Sequence, residues 1–60
     1  MKLEIYYKVS GIRPWLIENV YCITRDYHDQ TVCIEYLDRN GDARVDEINT
    51  DVLESLEVVF

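Results

Sequence analysis

The 60-residue sequence is poor in histidine and cysteine and has no long hydrophobic run. It has a single histidine, His28, and two cysteines, Cys22 and Cys33, whereas a structural zinc site needs four Cys or His ligands. No apolar run approaches the ~20 residues of a membrane span, and the alternating residues after Met1 do not resemble a signal peptide. We therefore expect no metal, no cofactor, a complete open reading frame and a cytoplasmic protein. We expect two free, half-buried thiols, with a cross-strand disulfide as the alternative.

Basic charge is also scarce, and it is unevenly distributed along a chain whose net charge is −6. Up to residue 25, four basic side chains stand against two acidic ones, a net of +2; from residue 26 onward, two stand against ten, a net of −8. The second part would repel a phosphate backbone, which argues against nucleic-acid binding, and it would attract a basic protein surface. The simpler interpretation is a solvated surface that keeps the protein soluble.

Residues 2–9 alternate between polar and apolar side chains, which predicts a half-buried strand. Its apolar face would consist of Leu3, Ile5, Tyr7 and Val9. Ser10-Gly11 would end this strand. Residues 12–19 would then form a long connector, because Pro14 argues against a central strand or a helix interior.

Residues 20–25 and 31–37 are rich in β-branched and aromatic residues and predict two strands. The residues between them are polar and typical of a turn. A hairpin symmetric about Tyr27-His28 gives a self-consistent register. Its pairs would be Ile23 with Val32, Tyr21 with Ile34, Cys22 with Cys33 and Thr24 with Thr31.

Residues 43–48 predict a shorter strand, in which Val45 and Ile48 have opposite parity and therefore indicate a bulge or bend. Asn49-Thr50-Asp51 supplies residue types that cap helices, and residues 52–55 are long enough for one helical turn. Residues 56–60 would form the last strand.

This order of strand, long loop, three-strand meander, helical turn and closing strand resembles an SH3-like barrel. The resemblance predicts an all-β fold, a single five-stranded SH3-like barrel spanning residues 1–60 with one short helical turn before the last strand. It depends on spacing alone and extends to architecture only, since this fold hosts unrelated functions. The aromatic pair and acidic loop of peptide-binding SH3 domains have no counterpart in the sequence.

The stretch DRNGDARVDEIN, residues 38–49, has two interpretations. An EF-hand loop needs oxygen ligands at its first, third and fifth positions, glycine at the sixth and glutamate at the twelfth. With Asp38 first, Ala43 takes the glycine position; with Gly41 sixth, a tyrosine takes the first. Neither register is complete. The tight-turn interpretation meets no such obstacle, and it leaves two forms open: a type I′ turn at Asn40-Gly41, or a type I turn with Gly41 in a G1 bulge.

Catalytic residues are not expected. His28 would lie at the tip of the predicted hairpin, about 16 Å from either cysteine along strands that rise about 3.3 Å per residue, which is too far for a Cys–His nucleophile pair. The carboxylates are dispersed, and so small a domain offers little enclosed volume in which to shift their pKa values.

Trp15 is the strongest candidate for a binding residue, because its connector is more apolar than an idle loop requires and because Trp, Tyr and Arg are the usual interface hot spots. In the alternative interpretation, Trp15 and Ile17 close an open end of the barrel. The candidate partner-binding residues are Trp15, Arg13, Tyr6 and Tyr27, with Asp38, Asp42, Asp46 and Glu47 on the acidic side.

The sequence as a whole predicts a non-catalytic protein-interaction module that docks a basic surface of a partner protein. Its size and charge are typical of small phage or mobile-element proteins that act on a host protein as inhibitors or adaptors. The alternative is a structural or assembly protein that associates with copies of itself through exposed edge strands.

Overall fold

The strands belong to two three-stranded antiparallel sheets in the computed structural model, which describes residues 1–59. The elements are β1 (Lys2–Tyr7), β2 (Trp15–Ile17), β3 (Val20–Asp26), β4 (Thr31–Leu37), β5 (Ala43–Asn49), a 3₁₀ turn (Thr50–Val52) and β6 (Leu53–Val59). The first sheet has the order β2-β1-β6 and the second the order β3-β4-β5. No helix in this part of the chain is long and apolar enough to cross a membrane.

The all-β prediction is confirmed, but the five-stranded closed barrel is not. The strands number six in residues 1–59, and their hydrogen bonds leave two separate sheets. The extra strand, β2, lies inside the predicted connector and pairs with β1. Pro14 has no N–H to donate to a sheet, but it lies just before the strand, so it does not interrupt the pairing of Trp15–Ile17. At its other end the chain breaks at Asn19, where a left-handed backbone (φ 57°) separates β2 from β3.

The core lies between the inward faces of the two sheets. The alternation predicted for the first strand is confirmed at Leu3 and Ile5, which are buried, although the strand ends at Tyr7 and Val9 is exposed. The buried hydrophobic residues are Leu3, Ile5, Ile17, Val20, Val32, Ile34 and Ile48. Burying a side chain of this size is worth about 1.5–3 kcal/mol, so the seven residues together contribute about 10–20 kcal/mol of hydrophobic stabilisation.

The β3–β4 hairpin forms with a register two residues away from the predicted one. Ile23 lies opposite Ile34 rather than Val32, and Cys22 lies opposite Glu35 rather than Cys33. The turn explains the difference, because the Asp26 carboxylate accepts hydrogen bonds from the backbone N–H groups of His28 (2.9 Å) and Asp29 (3.1 Å). This side chain closes a loop of four residues, 27–30. The predicted hairpin required instead a loop centred on Tyr27-His28.

Both cysteines are free and half-buried, as expected, and they share the outward face of the second sheet on neighbouring strands. The bulge predicted in β5 is wrong: the β4–β5 register runs without a shift from Thr31–Asn49 to Leu37–Ala43. Val45 simply points outward while Ile48 points into the core.

The helical turn begins earlier than predicted. Asn49 caps it by accepting a hydrogen bond from the Asp51 N–H at 2.9 Å, and the turn covers Thr50–Val52 instead of residues 52–55. The last strand therefore starts at Leu53 and pairs with β1. Phe60, which the prediction included in this strand, lies outside the described residues.

Candidate functional site

A cleft opens where the two sheets diverge. The pairing of β3 with β4 continues to Val20 opposite Tyr36, and the Leu37 N–H then donates to the Asn19 carbonyl at 3.1 Å. Beyond that bond the chain turns away, and β2 pairs with β1 instead. The result is a fork, with β2 on one side and the end of β4 on the other.

The fork encloses a cleft of about 370 Å³. We call it the fork cleft. Its lining residues come from two segments that are far apart in sequence: Trp15, Leu16, Ile17, Glu18, Asn19, Tyr36, Leu37, Asp38 and Arg39. Trp15 and Asp38, which the sequence marked for different reasons, thus meet at one place.

Apolar side chains around the fork cleft are partly accessible. Trp15, Leu16 and Leu37 are 38%, 47% and 41% exposed, within the range of the other exposed hydrophobic residues of the chain. Ile17, the last residue of β2, is buried and fixes the strand to the core. Trp15 lies opposite the fully buried Ile5, on the same face of the sheet, so it covers part of this end of the core while a third or more of its own surface remains open to solvent.

One rim of the cleft is the turn at residues 38–42, whose form is now settled. Gly41 has φ 82° and donates its N–H to the Asp38 carbonyl at 3.0 Å, while the Asp38 N–H donates to the Asp42 carbonyl at 2.9 Å. A type I′ turn would need positive φ at both central residues, and Asn40 does not have it. The turn is therefore type I with Gly41 in a G1 bulge.

The Asp38 carboxylate holds this turn together. Oδ1 accepts hydrogen bonds from the N–H groups of Asn40 (2.9 Å) and Asp42 (3.0 Å), and Oδ2 accepts one from Arg44 Nε at 2.9 Å. The Arg44 guanidinium and these N–H groups lower the pKa of Asp38. Both carboxylate oxygens are thus engaged within the chain, which makes Asp38 a structural residue of the cleft rim.

The other acidic candidates do not form a single patch. Asp42 is exposed in the turn, and Glu47 is exposed on the outward face of β5, opposite Cys33. Asp46 lies on the inward face, where it accepts a 2.7 Å hydrogen bond from the Tyr36 hydroxyl and raises the pKa of that tyrosine. Because Asp46 and Glu47 point to opposite faces of one strand, no flat partner surface can contact both.

Two of the aromatic candidates lie away from the cleft. Tyr27 is 80% exposed at the β3–β4 turn, with the Arg25 guanidinium 5.2 Å from its ring centre. Seven residues of β4, about 20 Å at ~3.3 Å per residue, separate that turn from the cleft rim. Tyr6 lies on the outward face of the first sheet, where Glu4, burial and Glu57 raise its pKa to about 12. Arg13 is exposed just before β2.

The Cys33 thiol shows no activation. Burial, with Glu47 and Glu35 nearby, raises the pKa of Cys33, which keeps this thiol protonated at neutral pH and therefore weakly nucleophilic. Within residues 1–59, no three His, Cys, Asp or Glu side chains are grouped closely enough to hold a metal ion.

Sequence reasoning missed about half of the cleft. Glu18, Asn19, Tyr36, Leu37 and Arg39 had not been singled out, because their proximity depends on the chain passing from β2 in one sheet to β3 in the other. The only available signal was the apolar run Trp15-Leu16-Ile17 directly after Pro14.

Comparisons with protein-family models, with curated protein sequences and with solved structures found no match. The function is therefore inferred from the geometry and chemistry of the chain itself.

Proposed function

We propose that the protein is a non-catalytic protein-interaction module whose fork cleft docks a partner protein. The observation that supports this most strongly is the accessible Trp15 beside the Asp38 turn in one cleft. Tryptophan is the residue most enriched among interface hot spots, and such residues act in pockets that a partner covers. In the isolated domain, the exposed part of this apolar surface faces water.

The charge of the chain favours a basic partner. A net charge of −6 on so small a surface attracts a positively charged protein over a distance of about a Debye length. Because the carboxylates point in several directions, this attraction would raise the rate of encounter, and the fork cleft would determine the geometry of the complex. The same charge disfavours nucleic acid as the partner.

We propose that the fold is an open version of the SH3-like architecture, in which the run β2–β3 would correspond to one bent strand shared by both sheets. Two free thiols fit a reducing cytoplasm. We further propose that the protein acts as an inhibitor or adaptor of a host protein, in the manner of small acidic proteins of phages and mobile elements.

A pull-down from lysate of the native host tests the docking role. The wild type is compared with Trp15→Ala and with Tyr21→Ala, a matched control at an aromatic residue that is 55% exposed and does not line the cleft. Docking at the cleft predicts a partner that Tyr21→Ala retains, that Trp15→Ala loses, and that 0.5 M salt releases. Equal recovery by both variants would refute the role of Trp15.

Self-association is the second candidate, and the long edge strands β5 and β6 are the observation that favours it. These edges are nevertheless charged, with Asp46 and Glu47 on β5 and Glu54 and Glu57 on β6. Charged residues on edge strands are a common device against pairing between copies. Sedimentation velocity at low and high salt decides: a dimer that persists or strengthens at high salt would favour assembly over docking.

A further inference from the structure

The fork cleft borders an edge strand of unusual composition. Four strands have an unpaired side: β2, β3, β5 and β6. Of these, β2 is the only one within residues 1–59 without a charged residue, since its sequence is Trp-Leu-Ile. Edges that must stay unpaired generally carry charges, bulges or prolines. β2 is short and directly follows Pro14, but it lacks the charges that protect the other three edges, and its residues Trp15, Leu16 and Ile17 line the fork cleft.

We propose that the fork cleft binds an extended segment of a partner protein, which adds as a short strand to the free edge of β2 and places a lysine or arginine next to Glu18. This inference rests on the proposed docking function and specifies the form and chemistry of the ligand. Strand addition obtains affinity from main-chain hydrogen bonds and specificity from alternate side chains that enter pockets.

The fork supplies both parts of such a site. On the β2 side, alternate backbone N–H and C=O groups of a strand paired only with β1 point away from that partner. On the opposite side, Leu37 presents apolar surface before the chain enters the turn. A bulky apolar side chain of the ligand would lie between Trp15 and Leu37, where it would cover surface that is now exposed.

Charge selects the basic ligand. Among residues 1–59 the Asp38–Arg44 contact is the only ion pair, so the exposed carboxylate of Glu18 has no cationic partner. Arg39 is exposed on the opposite rim and also lines the cleft. A basic side chain of the ligand would therefore be favoured on the β2 rim and disfavoured near Arg39.

The test is selection of a displayed library of random ten-residue peptides on the full chain, followed by NMR titration of the ¹⁵N-labelled protein with an enriched peptide. We expect enriched sequences that combine a lysine or arginine with a bulky apolar residue, and shifts at the amides of residues 15–18 and 37–39. No enrichment, or shifts that map elsewhere, would overturn the inference. Shifts at the same amides that depend on protein concentration without peptide would identify a second copy as the occupant, and would overturn it as well.

Three variants separate the contributions. Trp15→Ala should weaken the enriched peptide at least about tenfold, as hot-spot residues do. Glu18→Gln should weaken it about twofold to fivefold, in the range of exposed ion pairs, whereas Arg39→Gln should not weaken it. Glu18 and Arg39 are exposed, so these two substitutions leave folding intact. Equal weakening by both would refute the placement of the basic side chain next to Glu18.

The two proposals can fail separately. If a host protein is captured in a manner that depends on Trp15 while no peptide is enriched, the docking function stands and the extended segment is wrong. If peptides bind the cleft but no host protein depends on Trp15, the cleft chemistry stands and the proposed function is wrong.

Discussion

Shortening the side chain of Ile34 by one methylene group tests whether the core has been correctly placed. Ile34 is 0% exposed, whereas its cross-strand neighbour Ile23 is 37% exposed. The same change, isoleucine to valine, can therefore be made at two adjacent positions that differ mainly in burial.

The expected magnitudes follow from that difference. At Ile34 the lost methylene is worth about 0.8 kcal/mol in transfer from water, and the residual cavity brings the cost into the range of about 0.5–1.5 kcal/mol. At Ile23, about two thirds of that transfer term applies and the open site leaves no closed cavity, so the cost is about 0.5 kcal/mol. Each kcal/mol corresponds to about 4–8 °C in Tm for a domain of this size.

Thermal unfolding followed by far-ultraviolet circular dichroism measures both variants. Ile34→Val should lower the Tm by about 4–8 °C and Ile23→Val by about half as much. Ile34→Ala should cost about 2–5 kcal/mol, comparable with the whole stability of about 3–5 kcal/mol expected for so small a core, and should leave the chain largely unfolded. Equal decreases in Tm for the two valine variants would show that Ile34 is not the more deeply buried residue.

Three further outcomes are expected. The ionised form of Asp38 favours folding, since its pKa in the folded state lies below the ordinary value of 3.8; this stability is complete above that value and is lost as the pH falls through the lowered pKa. Asp38→Asn should therefore flatten the dependence of Tm on pH between 2 and 5, and an unchanged dependence would contradict the assignment. The phenol of Tyr6 should ionise near pH 12 in an absorbance titration at 295 nm, and Glu4→Gln should lower that pKa, because Glu4 is the largest cause of the shift. The stability linked to the neutral phenol is lost as the pH rises through the raised pKa. A titration that Glu4→Gln does not alter would refute the role of Glu4 in raising the pKa of Tyr6. Gly41→Ala should cost about 1–2 kcal/mol, because φ is 82° and a Cβ would meet no atom within 4 Å, so that backbone strain acts alone; Gly41→Asn should cost less, and equal stability of the alanine variant in urea unfolding would count against the G1 turn.

Local patterns predicted the elements of the fold well. Alternation placed Leu3 and Ile5 in the core, and the polar stretch 26–30 and the Asn40-Gly41 pair marked both hairpin turns. These features depend on neighbours in sequence, for which side-chain periodicity and turn chemistry are sufficient. The register of β3 with β4 was beyond reach, because it is set by one carboxylate, that of Asp26, which closes the loop over two backbone N–H groups.

The candidate site was only half predictable for a related reason. Trp15 was marked by its residue type and Asp38 by its turn, yet nothing local indicates that they share a cleft. That proximity depends on Asn19, whose left-handed backbone ends β2 and lets the chain change sheets. The bulge predicted in β5 was wrong because it assumed that both Val45 and Ile48 are buried. Val45 is apolar but exposed, so its opposite parity to Ile48 requires no bulge.

The pairing of β1 with β6 has a consequence for the order of folding. The second sheet is a meander of two hairpins, and its closest β3–β4 pair, Asp26 with Thr31, is five positions apart. In the first sheet, the pairing of β1 with β6 joins residues separated by 46 positions (Tyr7 with Leu53) to 57 positions (Lys2 with Val59). Closing the larger loops costs more chain entropy before any contact repays it.

We therefore expect the meander to form early and the first sheet to be completed last. Pulsed hydrogen exchange during refolding would show protection of β4 before that of β1, and the reverse order would refute it. β2 pairs with β1 across only 10 to 14 positions, so the fork cleft would take its final form when the long-range pairing with β6 fixes β1, and with it β2, against the core. An incompletely folded chain would have the acidic turn but no cleft beside it, and it would not compete for the partner.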